Sequence, residues 1–115
     1  MKYALLIYGN DDSWNNANAE EREAAFAEHE AFSEMLAARD AVYGGEELAL
    51  SHTATTVRRK GGGTFVTDGP YAETAEQLGG LYLIQAKDVD EALEFARACP
   101  GEVVELRPIV EAPGV

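Results

Sequence analysis

Between Thr67 and Gly80 the chain reads Thr-Asp-Gly-Pro-Tyr-Ala-Glu-Thr-Ala-Glu-Gln-Leu-Gly-Gly, with apolar strand patterns on either side. The run holds three carboxylates, Asp68, Glu73 and Glu76, together with Tyr71. A connector needs only the glycine and the proline, which set its backbone. Carboxylates add the capacity to move a proton or hold a hard cation, and a phenol can donate a hydrogen bond to a ligand. Each also has a plainer role. Asp68 in Asp-Gly-Pro can bond its own turn, Glu73 can sit at a helix start where the dipole favours it, and Tyr71 can cover apolar surface with its hydroxyl in water. His29, one of two histidines, falls between Ala25 and Phe32 on the apolar stripe of a helical pattern. Periodicity alone predicts a satisfied core histidine there; a proton-transfer group is the alternative.

Arg107 is the remaining polar candidate. In a closing strand, Val104, Leu106 and Pro108 share the face expected to meet the helices, which turns Glu105 and Arg107 to the other face. A guanidinium there can grip a substrate carboxylate with two parallel bonds or pair with Glu105 or a partner subunit. No metal centre and no cofactor are predicted. His29 and His52 lack the helical spacing of a zinc pair, and no Cys/His cluster is present. A hard-metal site built from Asp68, Glu73 and Glu76 would lack a recognised ligand loop. Gly61-Gly62-Gly63 is followed by no Lys-Ser/Thr, so it is no phosphate loop. No Ser/His/Asp or Cys/His nucleophile arrangement is present.

The elements that must position these groups follow from patterning. Tyr3 to Tyr8 is an apolar run typical of a strand buried on both faces. Gly9 to Asn18 reads as a polar loop around Trp14. Asn18 and Glu21 form a box-like cap for a helix from about Ala19 to Arg39. Its inner stripe is Ala25, His29, Phe32 and Leu36, widened by Ala24, Ala31 and Met35. Val42 to Leu50 reads as a strand, Ser51 to Ala54 as a break, and Thr55–Lys60 with Thr64–Thr67 as a hairpin about the glycines. Pro70 can open a short helical turn through Gln77, and Gly69, preceding it, is pushed towards extended backbone. Gly80 to Ala86 is a further strand. Asp88 caps a second helix with Val89, Ala92, Leu93 and Ala96 inward, ended by Pro100-Gly101. Val103 to Ile109 closes the chain.

This order predicts one domain over residues 1–115 of the α+β class: a ferredoxin-like antiparallel sheet, two helices on one face and an inserted β-hairpin. Two helices cover only one face, yet Tyr3–Ile7 and Leu81–Ile84 are apolar on both. A second sheet from an identical subunit is the simplest cover, giving a homodimer of dimeric α/β-barrel type with a cleft between protomers. Chain length agrees, since 115 residues bury roughly two-thirds of their unfolded surface.

A net charge of −12 argues against nucleic acid and anionic membrane surfaces as partners; a solubilising acidic face is the ordinary reading. Cys99 has no cysteine to pair with, which fits a reducing compartment, and a helix-end position suits a small apolar residue. No apolar run reaches membrane-spanning length. Met1-Lys2-Tyr3 leads straight into a strand without a signal-peptide pattern, so a cytoplasmic location is expected.

The run from Asp68 resembles the signature of the DGPF-type branch of the YCII-related family, Asp-Gly-Pro-Phe-Ala-Glu-Thr-Lys-Glu, with Tyr71 in place of Phe and Ala75 in place of Lys. The opening strand, Thr-Thr-Val-Arg-Arg, Gly-Gly-Leu-Tyr-Leu-Ile and the closing Val-Glu-Leu-Arg-Pro-Ile extend the resemblance along nearly the whole chain. It implies a first-helix histidine, matched by His29, that works with an aspartate in a cleft; Asp68 is the natural partner. A carboxylate beside one imidazole nitrogen fixes the tautomer and raises basicity, leaving the other nitrogen to move a proton. Because one branch of the family includes a dehydrochlorinase, the resemblance implies a small-molecule lyase or isomerase, with Tyr71, Glu73 and Arg107 as substrate contacts. The alternative it carries is a non-catalytic ligand-binding or interaction module linked to an extracytoplasmic-function sigma factor, since DGPF-type proteins resemble frequent genomic neighbours of such factors.

Overall fold

The computed structural model describes residues 1–111. Four strands form one antiparallel sheet: β1 (Lys2–Gly9), β2 (Val42–Glu47), β5 (Gln77–Gln85) and β6 (Val103–Pro108), in the order β2-β5-β1-β6. Two longer helices, α2 (Ala19–Ala38) and α3 (Val89–Ala98), and a short one, α1 (Asp11–Asn16), complete the body. The strands β3 (Thr55–Lys60) and β4 (Gly63–Asp68) pair only with each other, as a second, two-stranded sheet. The α+β class, the antiparallel sheet and the inserted hairpin agree with the sequence, and the order is consistent with a ferredoxin-like fold. No helix of the described residues is long and apolar enough to cross a membrane.

Local chemistry accounts for the helix ends. The Asn18 side chain accepts from the Glu21 amide at 2.8 Å, and Glu21 accepts in return from Asn18, closing a capping box. The far end of α2 turns through Asp40 at φ 52. There the Asp40 and Ala41 amides bond back to Ala37 and Leu36 at 3.0 and 2.9 Å, a Schellman ending. Asp88 caps α3 by accepting from the Glu91 amide at 2.9 Å. Arg39 then joins the two helices, 3.1 Å from Glu91 and 4.7 Å over the Phe95 ring.

The core lies between one sheet face and these helices. Tyr3, Leu5 and Ile84 from the sheet meet Phe32 and Leu36 of α2, Ala92 and Phe95 of α3, and Cys99 just past the end of α3. Each large side chain buried here contributes roughly 1.5–3 kcal/mol. The opposite face carries Ala4, Leu6, Tyr8, Leu81 and Leu83, all half-buried.

Several expectations need correcting. The segment after β1 is not all loop: Asn10 accepts from the amides of Asp12 and Ser13 at 2.8 and 3.2 Å and starts α1. Ala92 of α3 is buried as expected, but the large inward residue is Phe95, whereas Val89 and Leu93 are 57% and 42% exposed. No helical turn follows Pro70; the chain bends from Asp68 to β5, which begins at Gln77 rather than Gly80. Nor is Gly69 extended. Its φ of 100 is one that L side chains rarely adopt, and its amide is tied to Ala54 O at 2.7 Å.

Candidate functional site

A cavity of about 980 Å³ opens between α1, α2 and the β2–β5 side of the sheet. His29 lines it from α2 and Tyr82 from β5. The two stack, with centroids 6.0 Å apart, and His29 Nδ1 lies 2.8 Å from Tyr82 Oη. Room for the phenol comes from β2. Gly45 pairs with Tyr82 across the strands, and a Cβ on Gly45 would stand 3.2 Å from the Tyr82 ring. Phe32 braces the ring edge-on at 5.1 Å. Burial holds the Tyr82 phenol above its ordinary 10.0; a hydrogen bond with Ser33 works against that, and nearby Cys99 adds to it. The phenol is therefore neutral and has a proton to share with the imidazole.

The outer wall is α1. Trp14 meets Phe26 edge-on at 5.6 Å, and both line the cavity. Arg22 clamps the back of Trp14, donating to Trp14 O at 3.1 Å with its guanidinium 5.4 Å over the ring. Asp11 fastens this wall to the rest of the chain. Its carboxylate accepts from the Ser51 amide at 3.0 Å and from the Ser51 hydroxyl, and its own amide donates to Gln77 Oε1 at 3.2 Å.

The charge of the lining is one-sided. Asp11, Glu28, Glu46, Glu47 and Glu102 contribute carboxylates, and no Lys or Arg lines the cavity. Among the described residues no group of three or more His, Cys, Asp or Glu side chains could hold a metal ion.

Of the residues singled out from sequence, only His29 lines this cavity. Asp68 is exposed at the end of β4, paired with Thr55, and no hydrogen bond or ion pair joins it to His29. Tyr71 is 73% exposed; Arg58 lies 5.2 Å over its ring and donates to its carbonyl at 3.1 Å. Glu73 is exposed in the loop before β5. Arg107 occupies the helix-free face and pairs with Glu105 at 3.2 Å. Tyr8 donates to the other Glu105 oxygen at 3.2 Å, and partial burial followed by the Glu105 contact raises its phenol pKa. Sequence reasoning missed Tyr82, Ser33, Asp11 and the placement of Trp14. Gly44-Gly45 was the available signal for Tyr82, because paired glycines in a strand mark a close approach.

The model of the YCII-related domain matches residues 1–112. The chain belongs to the YCII-related family. It is also similar to an uncharacterized protein of Rhizobium meliloti (strain 1021), 41% identical over 98 residues that cover 84% of this chain and 78% of that protein.

Proposed function

We propose that this YCII-related protein is a small-molecule enzyme of the lyase or isomerase type, with His29 moving the proton. The observation that carries the reading is the 2.8 Å contact between His29 Nδ1 and Tyr82 Oη at the wall of an open cavity. When Nδ1–H donates to Tyr82, the Nε2 lone pair is free to take a proton from substrate carbon. Having taken that proton, the imidazolium keeps its Nδ1–H on the Tyr82 oxygen and returns the proton from Nε2 as the acid. One hydrogen bond thus sets both roles. Trp14, Phe26 and Ile7 would hold an apolar body of aromatic size. The acting form is a homodimer, supported by the half-buried apolar side chains on the helix-free face. An open cavity, rather than a cleft packed with side chains, favours a ligand site over an interaction module.

The test is a screen of small carbonyl and halogenated compounds in deuterated water, read by mass spectrometry for exchange or elimination. With a substrate found, His29→Gln is expected to lower turnover about a hundredfold or more and Tyr82→Phe by a smaller factor. Asp68→Asn should stay near the wild type if Tyr82 is the imidazole's partner; a large loss would restore the aspartate to that role. Full activity in His29→Gln would sink the reading.

A further inference from the structure

The β3–β4 hairpin is unlike the rest of the chain in three independent ways. Every residue of β4 is exposed, and Val57, Phe65 and Val66 are 51%, 56% and 66% exposed. An isolated two-stranded hairpin is marginally stable in water, so a ribbon showing apolar side chains on both faces needs a cover. Its charge is also reversed. Arg58, Arg59 and Lys60 outnumber a single carboxylate, Asp68, in residues 55–68, so the hairpin carries +2 while the whole chain carries −12, which leaves −14 elsewhere. Neither Arg59 nor Lys60 makes an ion pair among the described residues. Finally, the hairpin makes the molecule broad and thin. Its extents are 48 × 46 × 18 Å and its radius of gyration is 16.4 Å, against about 13 Å for a compact domain of this length.

We infer that the hairpin is an intersubunit arm whose basic tip lies across the carboxylate-lined mouth of the cavity in a second copy of this chain. Charge complementarity selects that occupant. Glu28, Glu46, Glu47 and Glu102 are exposed cavity residues with no cation of their own chain among the lining, and the tip supplies cations that lack a partner. The apolar pair Val57 and Val66, facing each other across the strands, is covered in the same step. In a twofold dimer each arm serves the other cavity, so both sites are completed at once. This inference rests on the homodimer reading above and adds that each site is incomplete in a single chain.

Sedimentation equilibrium across a concentration series tests it, using the full chain. The wild type should dimerise, and Arg59→Glu/Lys60→Glu should weaken dimerisation at least tenfold with an unchanged circular dichroism spectrum. Glu46→Lys/Glu47→Lys should weaken it similarly, and an equimolar mixture of the two variants should recover dimers of unlike chains. Replacing residues 57–66 by two glycines supplies a second variant free of charge reversal, with the same expected loss. A wild-type dimer whose dissociation constant is unmoved in the tip and deletion variants would overturn the arm and leave the sheet-face dimer standing. A wild-type monomer would overturn both. Two weakened variants that fail to associate when mixed would overturn the assignment of the tip to the carboxylates.

Discussion

Phe95 and Phe65 are the same side chain in two different settings. Phe95 is 1% exposed between α3 and the sheet, and Phe65 is 56% exposed on β4. Both neighbourhoods satisfy their backbone, through an α-helix in one case and a two-stranded ladder in the other. What separates them is a second layer. The body stacks helices on a sheet and so has an interior. The hairpin is one layer thick, and hydrogen bonding alone gives it no place to hide a ring. Stability lies with the body, and on the proposal of an intersubunit arm association would lie with the hairpin.

The largest expected effect probes that division directly. Phe95→Ala should cost about 3–5 kcal/mol, the usual loss for a buried aromatic, measured by urea unfolding. Phe65→Ala in dilute, monomeric protein should cost no more than about 0.5 kcal/mol. Equal losses would mean that the hairpin belongs to the body's core after all.

A gentler probe of the interior uses pH. Burial pushes the Cys99 thiol up from 9.0 to about 12. The unfolded chain therefore releases this proton first, and above pH 9 the folded state binds more protons than the unfolded one. Stability should fall as pH rises from about 9 to about 12, with a limiting slope near 1.4 kcal/mol per unit. Cys99→Ala should remove this contribution to the fall. An alkaline slope identical in Cys99→Ala would show that the thiol is not shielded as described.

A smaller loss than that of Phe95→Ala is expected at the seam between the two regions. Asp11→Ala removes a charged acceptor from Ser51 and should cost about 1.5 kcal/mol, the low end for such bonds. Faster hydrogen exchange at the Ser51 amide, with the Phe95 amide unchanged, would locate the loss at the seam. Uniform acceleration would show that no such boundary exists.

Much of this organisation was legible in the residues. Asn18 and Glu21 marked the start of α2, Asp88 that of α3, and the glycines after Lys60 a tight hairpin, because each signal is local. The glycine pair at the turn has φ of 60 and 81, which a two-residue hairpin loop of this hand requires. The failures came where the deciding contact is distant. Helix α1 is six polar-rich residues long, and Asp11 is held by Ser51, 40 positions away. Phe95 is a different case: Ala92, Phe95, Ala96 and Cys99 recur at i, i+3, i+4 and i+7 and all meet the core, so this face was legible and the expectation of Val89 and Leu93 chose the wrong stripe. The signature around Asp68 stood out in sequence, yet its glycine shapes a turn outside the cavity. Tyr82 sat unremarked in an apolar run, although its hydroxyl meets the imidazole.

The Asp11–Ser51 bond has a consequence for regulation. Ser51 opens the short segment from which the hairpin springs, and Asp11 opens the helix that presents Trp14. If the hairpin is an intersubunit arm, load on it would reach the indole through the Asp11–Ser51 bond. Ligand uptake and chain pairing would then be linked equilibria. If pairing tightens ligand affinity by some factor, the ligand must tighten pairing by the same factor, and occupancy would depend on how much of the protein is present.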